Sequence, residues 1–269
     1  MKTGTNGDEY FINYDLIQSF DFSAFDSKAP YPWHDFNHFL TPEAFEELHA
    51  TFPDISIFEK QVGYYRGKQK PHDRYLLSYE DSVYHQAGYQ GRGVVHHQQL
   101  PKPWRQFIRE LESRKYKNFI ASVLKTSKFK FRYEWHLGFK GSQISPHVDV
   151  HWRIGNHMFY FNTREDWNPK WGGSTLVLGG NRKYSKEKSY DFSDFKSVIL
   201  VKNEAHHSLL IKNTNRAWHG VKSLRCPDGK YRRMFMIIFV PQNFKADVWI
   251  NNSLSLVLHR RQELLKGSR

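Results

Sequence analysis

The chain has 269 residues, with 40 Lys or Arg against 27 Asp or Glu, a formal net charge of +13. Only 39% of the residues are apolar, but 16% are aromatic, and that aromatic area excludes wholesale disorder. One cysteine, Cys226, excludes an intramolecular disulfide and a cysteine-rich zinc module.

Residues 1–30 mix Asn, Asp, Ser and Phe without a clear period and read as an extended arm. Thr41-Pro42-Glu43-Ala44 opens a helix, with Thr41 as N-cap and Pro42 in the first turn. It runs to Ala50, and Phe52-Pro53-Asp54 ends it. Residues 60–75 and 85–93 read as glycine-punctuated, partly basic loops. Pro103 starts a longer helix, expected to continue to Leu124. From Phe129 the period changes to two: Phe129, Phe131, Tyr133 and Trp135 alternate with Lys130, Arg132, Glu134 and His136, the pattern of a half-buried strand. Further short strands are expected at Gln143–Val148, Met158–Phe161, Thr175–Leu178, Val198–Val201, Leu209–Ile211, Ala217–Val221 and Arg232–Val240. Turn residues such as Gly172-Gly173 and Gly179-Gly180-Asn181 separate them. About eight strands is the number in a jelly roll. The expected architecture is mainly β with N-terminal helices, in one domain. Residues 1–126 form an arm and supporting helices, 127–242 the core, and 243–269 a C-terminal extension.

The longest apolar run, Met234–Val240, is far too short to span a bilayer. Met1–Tyr10 lacks the apolar core of a signal peptide, so a soluble cytoplasmic protein with no membrane partner is expected. The charge of +13 points to an anionic partner or to a generally basic solvated surface; charge alone favours the latter.

Two of the 15 histidines stand in a distinctive context. His147 and Asp149 lie two apart on an extended segment, so their side chains share one side. His219, 70 residues after Asp149, sits in another strand. Two imidazoles and a carboxylate form a facial triad that leaves positions open on a non-haem Fe(II) ion. The competing reading of the same residues has Asp149 capping a turn and His147 packed under an aromatic ring. His151 is a second candidate beside Asp149, and His206 and His207 are rival ligands.

Five elements occur in order: Pro146-His147-Val148-Asp149, Phe159-Tyr160-Phe161-Asn162, Trp171-Gly172-Gly173-Ser174-Thr175-Leu176, His219-Gly220-Val221 and Arg232-Arg233. Together they resemble the Fe(II)- and 2-oxoglutarate-dependent dioxygenases, in particular the prolyl-4-hydroxylase-like branch, over roughly residues 129–240. The resemblance implies a double-stranded β-helix core (a cupin-like jelly roll). It implies Fe(II) on His147, Asp149 and His219, with 2-oxoglutarate and O2 as cosubstrates and ascorbate as a reductant. It places a basic residue of the last strand on the distal carboxylate of 2-oxoglutarate. Arg232 is favoured and Arg233 is the alternative, because neighbours on a strand face opposite sides. Tyr160 matches a tyrosine that helps hold that carboxylate, and an ordinary core aromatic is an equal reading. Phe139 stands where many relatives carry a Tyr, a contact that Trp135 or His136 could supply. Asp149 favours hydroxylation or a related C–H oxidation over halogenation.

The implied substrate is a small molecule, an amino acid or a peptidyl side chain, with an anionic one suited to the basic loops. Arg66, Lys68, Lys70, His72, Arg74, Arg92, His96 and His97 are the candidate contacts there, with Trp167, Asn168 and Trp171 near the Gly-Gly turn. A non-catalytic basic β-sandwich binding nucleic acid or acidic glycan is the reading from a different class, and it is not favoured. The sequence assigns no oligomeric state.

Overall fold

The computed structural model describes residues 11–63, 70–80, 93–180, 184–185 and 188–245. The expected contacts Arg66, Lys68 and Arg92 lie outside the described residues, as does nearly all of the C-terminal extension.

Two sheets form the core. The larger runs β1(Trp33–Asn37), β10(His207–Lys212), β7(Gly155–Tyr160), β12(Arg232–Pro241), β5(Phe129–Gly138), β3(Arg74–Tyr79) and β2(Glu59–Gln61). A short β4(Val94–Val95) joins β3 in parallel, and the other pairings are antiparallel. The smaller sheet runs β6(Ile144–His147), β11(His219–Val221), β8(Thr175–Gly179) and β9(Ser197–Val201), all antiparallel. Each of the eight expected strands is present, in a mainly β, jelly-roll-type core. The unforeseen strands β1 to β4 widen the larger sheet at its two edges.

Helices cover the outer face of that sheet. α3(Pro42–Ala50) begins as expected, with the Thr41 hydroxyl accepting from Ala44 N. The single helix expected from Pro103 to Leu124 is two: α4(Lys102–Leu111) and α5(Arg114–Leu124). Ser113 breaks it by accepting from Tyr116 N as a new N-cap. The expected arm contains two short helices, α1(Tyr14–Gln18) and α2(Phe22–Ser27), capped by Asn13 and Asp21. Side-chain oxygens of this type satisfy orphan helix amides, which an apolar period cannot reveal. No helix among the described residues is long and apolar enough to cross a membrane.

The strand period sorts residues between two cores. On β5, Phe129, Phe131, Tyr133, Trp135 and Leu137 face the helices, as do Phe235, Ile237 and Phe239 of β12. They meet Trp104, Phe107, Tyr116 and Phe119, with Trp104 5.2 Å from Trp135 and 5.1 Å from Phe235 between ring centroids. Met234, Met236, Ile238 and Val240 face the smaller sheet with Val177, Val201, Leu209 and Ile211. The polar half of β5 corrects the expectation of a solvated face. Arg132, Glu134 and His136 are buried between the sheets, so both faces of β5 are covered. They therefore do not form the exposed basic and aromatic strand that nucleic-acid binding would use. β9 closes the smaller sheet, with Val198 and Leu200 exposed on its outer face.

Candidate active site

His147 ends β6 and His219 begins β11, and the two are direct cross-strand partners with ring centroids 4.3 Å apart. Asp149 follows β6 in the turn toward β7. The backbone sets the direction of both imidazoles. His147 Nδ1 donates to Ser145 O at 3.0 Å, and His219 Nδ1 donates to Ala217 O at 2.9 Å. With Nδ1–H committed, Nε2 is the ring atom each histidine can offer to a metal, and the two Nε2 atoms lie 3.7 and 3.9 Å from the Asp149 oxygens. One ligand atom from each of the three residues lies within 4.8 Å of the others, and all three residues are buried.

The electrostatics suit a cation. Burial opposes the Asp149 charge, but Arg153, at 3.5 Å, and the two histidines overcome that and hold the carboxyl far below the usual range. Asn156 Nδ2 donates to Asp149 Oδ2 at 3.0 Å and fixes the carboxylate. Burial, and then His147, push the His219 imidazole down to about 4, so it is neutral near pH 7. Two imidazoles and an ionised carboxylate, each oriented from behind, are a donor set that fits Fe(II).

The triad opens on a cavity between the sheets that encloses about 760 Å³ of space, part of it open to solvent. Arg232 lines it and is 5% exposed. Its Nε donates to Gly173 O at 2.6 Å and its Nη2 to Thr175 Oγ1 at 3.3 Å. Among the described residues no carboxylate pairs with it, and a buried guanidinium stays charged. The Gly-Gly turn has a role here. Gly173 has φ +98°, and a Cβ there would lie 2.7 Å from Asn203 Nδ2 and 3.1 Å from Arg232 Cδ. Tyr160 is one step back. Its ring lies 5.3 Å from Arg232 Cζ, and its hydroxyl shares a hydrogen bond with Thr175 Oγ1 at 2.9 Å instead of lining the cavity. Arg233 faces the other way, where its Nη1 donates to Asp166 Oδ2 at 2.9 Å.

Other expected residues separate. His151 is exposed and away from the cavity. His206 stacks on His38, and His207 Nδ1 lies 3.0 Å from Asp35 Oδ1, both away from the triad. Trp167 and Trp171 pack with Leu224 and Cys226, and Asn168 caps the short turn between them. His96 pairs with Glu80, and His97 with the Tyr79 hydroxyl. Lys70 is exposed. His72 and Arg74 do line the cavity, and so does His136, while Trp135 is in the helix-side core. Phe139 packs edge-on against Tyr75. Asn156 and Arg153 were not anticipated; the spacing of Arg153, four residues after Asp149, was the available signal.

No family model matches the sequence, and no curated protein matches it. Solved structures do. A Pseudomonas putida prolyl-4-hydroxylase superposes with a TM-score of 0.54 at 14% identity, over 84% of this chain and 99% of that one. A Trichoplax adhaerens prolyl hydroxylase, solved with a hypoxia-inducible-factor peptide, gives 0.49 at 13% identity, over 82% and 87% of the two chains. The two packed sheets and their helical cover thus have the fold of the prolyl-4-hydroxylase-type oxygenases.

Proposed function

We propose that this protein is an Fe(II)- and 2-oxoglutarate-dependent dioxygenase that oxidises a C–H bond of a small-molecule, amino-acid or peptidyl substrate. The observation that carries the reading is one cavity with two charged features. His147, Asp149 and His219 converge on one side, and Arg232 is buried there with no acidic partner among the described residues. In this reading the triad holds Fe(II), and Arg232 takes the distal carboxylate of 2-oxoglutarate. Thr175 and Tyr160 steady the guanidinium from behind. Arg233 does not share that role, since Asp166 holds it on the opposite face. Fe(II) with O2 would supply oxidative decarboxylation of 2-oxoglutarate to succinate and CO2, coupled to substrate oxidation, with ascorbate as an auxiliary reductant.

The chain's own residues perform the rest. Ser145 O and Ala217 O lock both imidazoles as Nε2 ligands. Asn156 and Arg153 keep Asp149 ionised and oriented. Met158, Met234 and Met236 line the cavity and limit water around the reacting groups. Purified protein given Fe(II), 2-oxoglutarate, ascorbate and O2 is expected to form succinate, slowly without substrate. His219→Ala is expected to abolish it. No succinate from wild-type protein, together with no 2-oxoglutarate binding to the Mn(II)-loaded form, would refute the reading.

A further inference from the structure

Arg232 is not the only arginine on the cavity floor. β12 and β5 pair Arg232 with Gly138, and β5 and β3 pair Leu137 with Tyr75 and His136 with Leu76. Continuing that register by one residue sets Arg74 opposite Gly138, on the far side from Arg232. The two arginines therefore share one row, two strand spacings or about 10 Å apart at the backbone. The position between them carries no side chain, and a Cβ there would lie 2.9 Å from Leu224 Cδ1. Their head groups diverge. Arg232 reaches toward Gly173 and Thr175, whereas Arg74 donates from Nε to Gln61 Oε1 at 3.3 Å and lies 3.2 Å from His72 Nδ1 through Nη1. Both line the same cavity, and Arg74 is 4% exposed. His136 stands beside them, its Nε2–H donated to buried Glu134 at 3.0 Å.

We infer that Arg74, flanked by His72 and His136, anchors the carboxylate of the primary substrate, and that this substrate is a free α-amino acid. The inference rests on the oxygenase reading, which assigns Arg232 to the cosubstrate. Charge balance selects the class. Arg74, Arg132, Arg153 and Arg232 are matched by Glu59, Asp73, Glu134 and Asp149 in and behind the lining. Fe(II) and the 2-oxoglutarate dianion cancel each other. A zwitterion leaves that balance intact, whereas a simple carboxylic acid adds one uncompensated charge to a buried site. Asp73, next to Arg74 in the lining, offers Oδ2 to the ammonium group, its Oδ1 accepting from Gly63 N at 2.8 Å. The depth of Arg74 and His136 fits a small molecule that enters whole, rather than a segment of a folded protein.

The test uses full-length protein loaded with Mn(II), with and without N-oxalylglycine as a non-reacting cosubstrate mimic. The 20 free L-amino acids, their methyl esters and their N-acetyl forms are screened by thermal shift, and hits are titrated by calorimetry. At least one free amino acid is expected to bind, with at least tenfold weaker binding of its methyl ester and of its N-acetyl form. Arg74→Gln is expected to weaken that binding at least tenfold, Arg74→Lys less, and neither to weaken 2-oxoglutarate by more than about threefold. Circular dichroism melts check that both variants fold. Equal binding of acid and ester, full binding by Arg74→Gln, or no amino acid bound would each overturn the inference. Failure of 2-oxoglutarate alone to bind would instead remove the oxygenase reading, and the titrations without the mimic still decide the role of Arg74.

Discussion

Asn156 makes one hydrogen bond to the triad, from Nδ2 to Asp149 Oδ2, and that bond sets which way the carboxylate turns. Partners placed behind metal ligands typically contribute 10- to 100-fold in metal affinity. Asn156→Leu is therefore expected to weaken Mn(II) binding by about that factor, read by calorimetric titration, with the fold intact. Unchanged affinity would show that Asp149 is held by Arg153 alone. At this scale the sequence was informative about the candidate ligands and silent about the groups behind them. His147, Asp149 and His219 carry a spacing and a local context that can be recognised in one dimension. Arg232 was marked by its place after the second histidine, but Asn156 meets the site only through a hydrogen bond that no spacing announces, and the Tyr160 hydroxyl lies against Thr175, a partner distant in sequence.

Among the elements, α4 and α5 show where local patterning stops being sufficient. The apolar positions continue in helical phase from Trp104 to Leu124, and no Gly or Pro interrupts them. The break comes from the Ser113 hydroxyl, which caps the Tyr116 amide and lets both helices lie on the same aromatic layer. Ser113→Ala is expected to cost about 1 kcal/mol of stability in urea denaturation. A loss well below that would mean that packing of Tyr116 and Phe119 alone sets the break. β5 teaches the converse. Its period of two was correct, but alternation does not say what lies on either side, and here most of the polar face is buried, with His136 in the cavity lining. Most of the edge strand β2 and the first residues of β3 fall in the 60–75 stretch read as loop because of its glycines and basic residues; β3 is held by pairing with β5, which no local signal announces.

For the whole molecule, several imidazoles are buried in the neutral state. Burial lowers His34, His136 and His219 to about 4 in each case, and holds His157 well below its ordinary value. The unfolded chain has ordinary histidines near 6.5 and so binds more protons than the folded one between these values. Stability contributed by these groups is complete above about pH 6.5 and is lost as pH falls toward 4. Urea midpoints of the metal-free protein are expected to be flat above about pH 7 and to fall across that window. The pH slope should correspond to about four protons taken up on unfolding, one per ring. A flat midpoint down to pH 4 would mean that these rings are solvated in the folded protein.

The outer face and edge of β9 have a bearing on how copies of this chain meet. Among the described residues the strand's far edge has no partner, and Val198 and Leu200 project from it. An edge of that kind invites a second sheet to dock and extend the ladder. Lys196 and Lys202, both exposed, stand at its two ends. Mutual repulsion between chains that each carry +13 opposes the approach. The protection is colloidal, not structural: it reaches only a screening length, about 10 Å in 0.1 M salt and about 3 Å in 1 M. The excess of basic residues thus has a use apart from any ligand, as the barrier that keeps one sheet edge from finding another.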